Sequence, residues 1–174
     1  MIPAPAKRIV LDTNVCLDLF VFQDPRWDGL LAALESGAVE AVTRADCRDE
    51  YLIVLHYKHL PLDEASRPLS AARFDALVKV VAPEPKLVRL PICSDRDDQK
   101  FLEVARDASA EILITKDKAL LKLARKTVQA GMFRIMVPEA WLKLDASSAQ
   151  LTSASEPTAA IQCPLSDCRP GSHG

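Results

Sequence analysis

Four acidic residues stand at intervals that a folded chain could bring together: Asp12, Glu50, Asp98 and Asp117. Carboxylates gathered in one cleft repel one another and raise each other's pKa unless a cation lies among them. Ligands made only of oxygen favour a hard cation such as Mg²⁺ or Mn²⁺. A metal ion held in this way can generate hydroxide from bound water and stabilise charge on a phosphoryl oxygen. The pattern therefore predicts metal-dependent chemistry in which water, rather than a side chain, is the nucleophile.

Other catalytic signatures are missing from the sequence. There is no nucleophile elbow and no His–Cys metal pattern, and five glycines are too few to predict a backbone cradle for phosphate. Cys163, Cys168 and His173 match no standard zinc spacing and lack a fourth ligand. The chain has five cysteines, and this odd number argues against a disulfide framework.

Two of the acids follow apolar runs that predict buried strands. Asp12 ends the run 8–12, and Asp117 lies two residues beyond the run 112–115. Runs that are apolar at every position suit strands covered on both faces, and open parallel sheets bind ligands beyond the carboxyl ends of their strands. A carboxylate placed directly after a buried strand is either exposed in a cleft or paired. Asp12 and Asp117 are therefore predicted at the edge of the sheet that carries the chemistry.

Three aspartates open a predicted helix over residues 97–109. Acids in a first turn complement the helix dipole, and Asp95 is the predicted cap. Asp98 shares the inward side of the helix with Phe101 at a spacing of three, which places it near the strand ends. We therefore predict that Asp98 faces the metal, with Asp97 as the alternative.

Glu50 is less distinctive by its position alone. It lies in a predicted helix over 45–57 whose inward stripe includes Leu52 and Leu55. This spacing describes a surface acid as well as a functional one.

Short apolar runs and helical patterns alternate through residues 1–145. Strands are predicted at 39–43, 86–90 and 134–137, and a helix capped by Ser70 is predicted to reach about Val81. This alternation predicts an α/β fold with a central, mostly parallel sheet flanked by helices as a three-layer sandwich. Residues 146–174 are rich in Ser, Ala, Thr and Pro without sustained periodicity, and they are predicted to be a flexible tail.

The charge of the chain limits how it could bind nucleic acid. A net charge of −2 and a pI near 5.9 exclude a globally basic binder, so a nuclease would need a local basic patch. Segment 116–126, which includes Lys116 and Lys118, offers one, although such a run can also be a solvated helix face. No apolar run approaches the roughly 20 residues that span a bilayer, and no signal peptide is recognisable. We therefore expect a cytoplasmic protein without a membrane partner.

Taken together, four motifs resemble those of the PIN-domain ribonucleases, in particular the branch described as toxin components of toxin–antitoxin systems. They are RIVLDTNV, DEYLIVL, DRDDQKFLEVA and ILITKDKALL, in that order over about residues 8–142. The resemblance implies a PIN-like fold and endonucleolytic cleavage of single-stranded RNA with Mg²⁺ or Mn²⁺. It also implies that Asp12, Glu50, Asp98 and Asp117 are the catalytic, metal-binding acids.

Further roles follow from the same resemblance. Asn14 and Thr115 match the polar positions that support the first and last aspartates. The loop reads Thr-Lys-Asp where the family commonly has Thr-Gly-Asp. Lys116 and Lys118 are candidate contacts to RNA. A toxin of this kind implies an antitoxin protein that blocks the cleft, and homodimerisation is compatible with the resemblance.

Two other functions fit parts of the pattern. DTNV after an apolar strand is similar to the motif of aspartate-dependent phosphatases, but that chemistry needs a second carboxylate where this chain has Asn14. A catalytically inactive PIN fold that acts as an interaction module is the other alternative, and the presence of all four acids argues against it.

Overall fold

The computed structural model describes residues 6–154, with side chains described as far as residue 147. Its strands are β1 Lys7–Leu11, β2 Val39–Thr43, β3 Val78–Val80, β4 Ile112–Ile114 and β5 Arg134–Met136. They form one sheet in the order β3-β2-β1-β4-β5, and every neighbouring pair is parallel. The predicted α/β fold is confirmed.

The described helices are α1 Thr13–Phe20, α2 Asp28–Ser36, α3 Ala45–Val54, α4 Ser66–Leu77, α5 Gln99–Asp107, α6 Lys118–Leu121, α7 Ala124–Gln129 and α8 Pro138–Ala154. Short 3-10 turns precede α2 and α5, at Pro25–Trp27 and Arg96–Asp98. None of the helices in this described part of the chain has the length and apolar character needed to cross a membrane.

Helices cover both faces of the sheet, and the central strand β1 shows why its last three residues, Ile9–Leu11, are all apolar. Successive side chains of a strand point to opposite faces. Ile9 and Leu11 of β1 therefore pack into one core with α1, α2 and α4, whereas Val10 packs into a second core with α5 and α6. Both cores require apolar side chains, so the buried part of β1 has no polar face.

The order of the strands places a crevice beside β1. From β1 the chain moves outward through β2 to β3, and it then crosses to the other side of β1 to form β4 and β5. In sheets of this kind the carboxyl ends of the strands open a binding crevice where the direction of winding reverses. This point lies between β1 and β4, where Leu11 is in register with Ile114.

The segment 86–90, predicted to be a strand, does not join the sheet, and β3 holds the edge position instead. Pro85 and Pro91 flank the segment, and proline cannot donate a hydrogen bond to a neighbouring strand. The amide of Lys86 bonds instead to Oδ1 of Asp107, at 3.0 Å. The apolar pattern is that of a strand, but its backbone groups bond to α5.

The helix predicted over 70–81 was wrong at both ends. Asp63 Oδ1 accepts hydrogen bonds from backbone amides that include that of Ser66, and α4 begins at Ser66. Ser70 is not the cap: it is buried inside α4, where its hydroxyl donates to the carbonyl of Phe20 at 3.4 Å. Val78 and Val80, near the end of the predicted helix, belong to β3, because β-branched side chains favour extended backbone.

The last helix crosses the predicted start of the tail. α8 continues to Ala154, so residues 146–154 belong to it. Residues 155–174 lie outside the described residues, together with Cys163, Cys168 and His173.

Candidate active site

Asp12 lies directly after β1, at the crevice between β1 and β4. Its side chain is buried, with 3% of its surface exposed, and its Oδ2 accepts a hydrogen bond of 2.7 Å from Oγ1 of Thr115. Burial raises the pKa of Asp12, hydrogen bonds from Thr115 and Thr13 partly offset this, and the charges of Asp117 and Glu50 raise the pKa further. The sequence left exposure in a cleft and pairing as alternatives, and the structure shows a buried carboxylate that accepts a hydrogen bond from a neutral hydroxyl. A cation nearby would stabilise its charged form.

Thr115 joins the first aspartate to the last one. It is fully buried, and its Oγ1 also accepts a hydrogen bond of 3.0 Å from the amide of Asp117. Asp117 caps α6, because its Oδ1 accepts bonds from the amides of Ala119 at 2.7 Å and Leu120 at 3.3 Å. These two bonds engage only one oxygen of Asp117. The loop 115–117, between β4 and α6, therefore holds the carboxylates of Asp12 and Asp117 through hydrogen bonds from one threonine and from the backbone.

Asp98 ends the 3-10 turn that precedes α5. Asp95 caps this turn, as predicted, by accepting a bond of 3.0 Å from the amide of Asp97. Asp97 is exposed, whereas Asp98 is half-buried. Burial raises the pKa of Asp98 to about 7, with further contributions first from Asp12 and Asp117. The charge of Asp98 therefore interacts with those of Asp12 and Asp117, whereas the side chain of Asp97 is exposed.

Glu50 lies on α3 at the margin of this cluster. Its Oε1 accepts a hydrogen bond of 2.7 Å from Oγ1 of Thr13, the residue after Asp12. Its Oε2 forms an ion pair with Nζ of Lys100, on α5. Both oxygens of Glu50 are therefore engaged by groups of the protein itself.

The charges of the four predicted acids interact with one another, but the protein holds the side chains in two different ways. Asp12, Asp117 and, to a smaller extent, Glu50 raise the pKa of Asp98, while Glu50 also forms an ion pair with Lys100. Within residues 6–147, no three His, Cys, Asp or Glu side chains form a ready ligand set. The donors are nevertheless all oxygen, and Mg²⁺ keeps several waters while binding only one or two carboxylates. The chemistry of these donors therefore fits a hydrated Mg²⁺ or Mn²⁺ ion.

The supporting residues differ in part from those expected. Asn14 is exposed in the first turn of α1, and the hydrogen bonds to the acids come from Thr13 and Thr115. Sequence reasoning missed Thr13 and Lys100. The available signal was their position, because Thr13 follows Asp12 directly and Lys100 lies two residues after Asp98. Neither threonine nor lysine is a residue type that marks a magnesium site.

The two candidate lysines have different surroundings. Lys116 forms an ion pair with Asp18 of α1, whose carboxylate also accepts a bond of 3.3 Å from the indole of Trp27. Lys118 is exposed at the start of α6. Further exposed basic residues follow it along α6 and α7: Lys122, Arg125 and Lys126. A basic surface therefore begins next to Asp117.

Comparison with known families agrees with this geometry. A family model described as the PIN domain matches residues 8–119, which is more than half of the chain and contains all four acids. No curated protein matches the chain in sequence. The five-stranded parallel sheet flanked by helices is consistent with the PIN-domain fold. The chain therefore belongs to the PIN-domain family, which has a nuclease-type fold and is generally metal-dependent.

Proposed function

We propose that the protein is an endoribonuclease that cleaves single-stranded RNA with Mg²⁺ or Mn²⁺. The convergence of Asp12, Asp98 and Asp117 at the crevice between β1 and β4 is the observation that carries this proposal. Burial and neighbouring negative charge raise the pKa of both Asp12 and Asp98, which is the condition that a bound cation relieves. Membership of the PIN-domain family supports nuclease chemistry, and the choice of RNA follows the resemblance of the four motifs.

Asp12, Asp98 and Asp117 are the residues that would hold the cation. When bound, a divalent cation lowers the pKa of a water molecule and stabilises negative charge on the phosphoryl group. The protein contributes position: Thr115 orients the carboxylate of Asp12, and the N-terminus of α6 orients that of Asp117. Glu50 stands beside them as the fourth acid.

The basic surface on α6 and α7 is the proposed contact to the RNA backbone. The amide of Lys122 donates to the carbonyl of Lys118 at 3.1 Å, so these residues are one helical turn apart and project on the same side. Both are exposed, whereas Lys116 is occupied by Asp18. Lys118 is therefore the stronger of the two predicted RNA contacts. This surface would also supply the local positive charge that a chain of net charge −2 needs to approach RNA.

The proposed biological role is that of a toxin in a toxin–antitoxin pair. It rests on the resemblance of the motifs to that branch of the family. In this role the protein would be cytoplasmic and could form a homodimer, and an antitoxin protein would cover the acidic crevice. Expression of the chain in cells should then stop growth, and Asp12→Asn should remove this effect. A small gene directly upstream that encodes a DNA-binding pattern, and whose product restores growth, would support the pairing.

The enzymatic proposal is tested on the purified full chain with a labelled single-stranded RNA. We expect internal cleavage with Mg²⁺ or Mn²⁺, no cleavage with EDTA, and none with Asp12→Asn. Intact RNA with both metals, from a folded protein that binds a partner tightly, would favour the inactive interaction module. Hydrolysis of a phosphate monoester that depends on Asp12, without RNA cleavage, would favour the phosphatase.

A further inference from the structure

The ion pair between Glu50 and Lys100 is partly buried at the margin of the site. The two side chains are 30% and 20% exposed, and Nζ of Lys100 lies 5.7 Å from the centre of the buried Phe101 ring. Glu50 is on α3 and Lys100 is on α5, so the pair joins two helices at the margin of the aspartate cluster. A lysine in this position supplies a positive charge to an acidic site.

Lys100 also occupies the place on Glu50 that a metal ion would need. Its Nζ meets Oε2, while Oγ1 of Thr13 donates to Oε1 at 2.7 Å. A divalent cation bound to Oε2 would therefore lie within a few ångströms of an ammonium group, and like charges at such a distance repel strongly. The three aspartates have no lysine or arginine among their hydrogen-bond partners in the described residues.

We propose that Lys100 takes the place of a second metal ion at the Glu50 end of the site, so that the protein binds one divalent cation and not two. This inference rests on the proposed function, because it assumes a metal-dependent site. Nucleases of related chemistry can use two metal ions that share the charge of the attacking and leaving oxygens. Here the cation belongs to the aspartates, and Glu50 and Lys100 form a separate, charge-compensated pair. Lys100 is thus a positioning residue for Glu50.

The number of bound ions tests this directly. The full chain is titrated with Mn²⁺ in the absence of RNA, and the free ion is followed by its electron paramagnetic resonance signal. We expect one Mn²⁺ in the wild type and unchanged affinity in Glu50→Gln. Lys100→Met removes the ammonium group while keeping much of its apolar stem, so we expect a second Mn²⁺. That second ion should be lost again in the double variant with Glu50→Gln.

Two variants control for effects of charge removal. Lys100→Arg keeps the cation and should still bind one Mn²⁺. Lys79 pairs with Glu40 at 3.4 Å elsewhere on the sheet, so Lys79→Met removes a lysine of the same kind away from the site and should change nothing. Thermal unfolding of each variant shows that it is folded. If Lys100→Met does not fold, Lys100→Gln replaces it, and the wild type and Glu50→Gln still decide the question.

Two Mn²⁺ ions in the wild type would overturn the inference, as would a single ion in Lys100→Met. A weakening of Mn²⁺ binding by about tenfold or more in Glu50→Gln would also overturn it, since that is the scale of loss expected for a group that supports a bound metal. RNA cleavage is measured separately. One bound ion without cleavage would refute the proposed nuclease activity and leave this inference standing. Two bound ions with cleavage would support the nuclease activity and refute this inference. No bound ion would refute both.

Discussion

Asp12 and Glu50 are acids of the same site, but the protein holds them in different ways. Asp12 is buried and bonded to Thr115, which is itself bonded to the backbone of the loop before α6. Glu50 is less deeply buried, and one of its two partners is a lysine on a flexible four-carbon stem. The aspartate side of the site, with Asp12 and Thr115, is therefore preorganised by short, rigid groups. The glutamate side, with Glu50 and Lys100, can rearrange. Substitutions on the aspartate side should have larger effects than matched substitutions on the glutamate side.

The largest effect is expected for Asp12→Asn. It removes a charged ligand, so RNA cleavage should fall by more than about 100-fold, the upper end for residues that only support a metal ligand. Without metal, the variant should be as stable as the wild type or slightly more stable, because one repelling charge is gone. Single-turnover cleavage and thermal unfolding measure the two effects. Asp28→Asn, at an exposed acid of α2, is the control; equal activity in both variants would refute the proposed site.

Thr115→Val should have the next largest effect. It leaves the carboxylate of Asp12 in place but without its hydrogen-bond donor, so cleavage or Mn²⁺ affinity should fall by about 10–100-fold. Loss of a buried partner should also lower the free energy of unfolding by about 1–3 kcal/mol. Thr115→Ser should restore most of both. Thr127 is equally buried and bonds within its own helix, so Thr127→Val should affect stability without affecting metal binding.

Glu50→Gln should reduce cleavage by about tenfold at most, the lower end for supporting residues. Glutamine keeps the size of the side chain and can still accept the hydrogen bond from Thr13, but it loses the ion pair with Lys100. The measurement is the same single-turnover rate as for Asp12→Asn. A loss as large as that of Asp12→Asn would show that the two sides of the site are equivalent.

Charge reversal on α6 should weaken RNA binding and leave the chemistry intact. Lys118→Glu should raise the KM for RNA with little change in kcat. It should also reduce the slope of log affinity against log salt by about 0.7 for each lost phosphate contact. Binding to Asp12→Asn across a range of salt concentrations measures this without cleavage. Lys143→Glu, on the exposed side of α8, is the control and should leave the slope unchanged.

The last effect concerns the stability of the metal-free protein and not its activity. The pKa of Asp98 is raised to about 7 in the folded state, from about 3.9 in an unfolded chain. The folded state therefore binds this proton more tightly, and the contribution of Asp98 to stability falls as the pH rises from about 4 to about 7. Asp98→Asn should raise the melting temperature more at pH 8 than at pH 5 in the presence of EDTA. An equal shift at both values would show that Asp98 does not titrate in this range.

The sequence predicted the aspartate side better than the glutamate side, for a physical reason. Asp12 and Asp117 follow strands whose apolar runs are local signals, and the parallel sheet then fixes where strand ends meet. Glu50 depends on contacts with Thr13 and Lys100, and each of these comes from a different part of the chain. Spacing within one helix carries no information about such partners.

The errors in the fold have a similar origin. Segment 86–90 has the apolar pattern of a strand, but the flanking prolines and the carboxylate of Asp107 decide where its amides bond. Ser70 is a common capping residue, yet tertiary packing placed it in the interior, against the carbonyl of Phe20. In each case a local preference was correct for the isolated segment and was overridden by a long-range contact.

The hydrogen bond from Thr115 to Asp12 joins residues 103 positions apart, and Asp98 and Asp117 are supplied late in the chain. While the protein is being translated, a nascent chain already carries Asp12 and Glu50 but has neither β4 nor the loop that orients the first carboxylate. Whatever chemistry the site performs must therefore wait until most of the domain has left the ribosome. If the proposed function holds, a truncated or partly synthesised copy should not cleave RNA, and this would protect the messenger and the ribosome during synthesis.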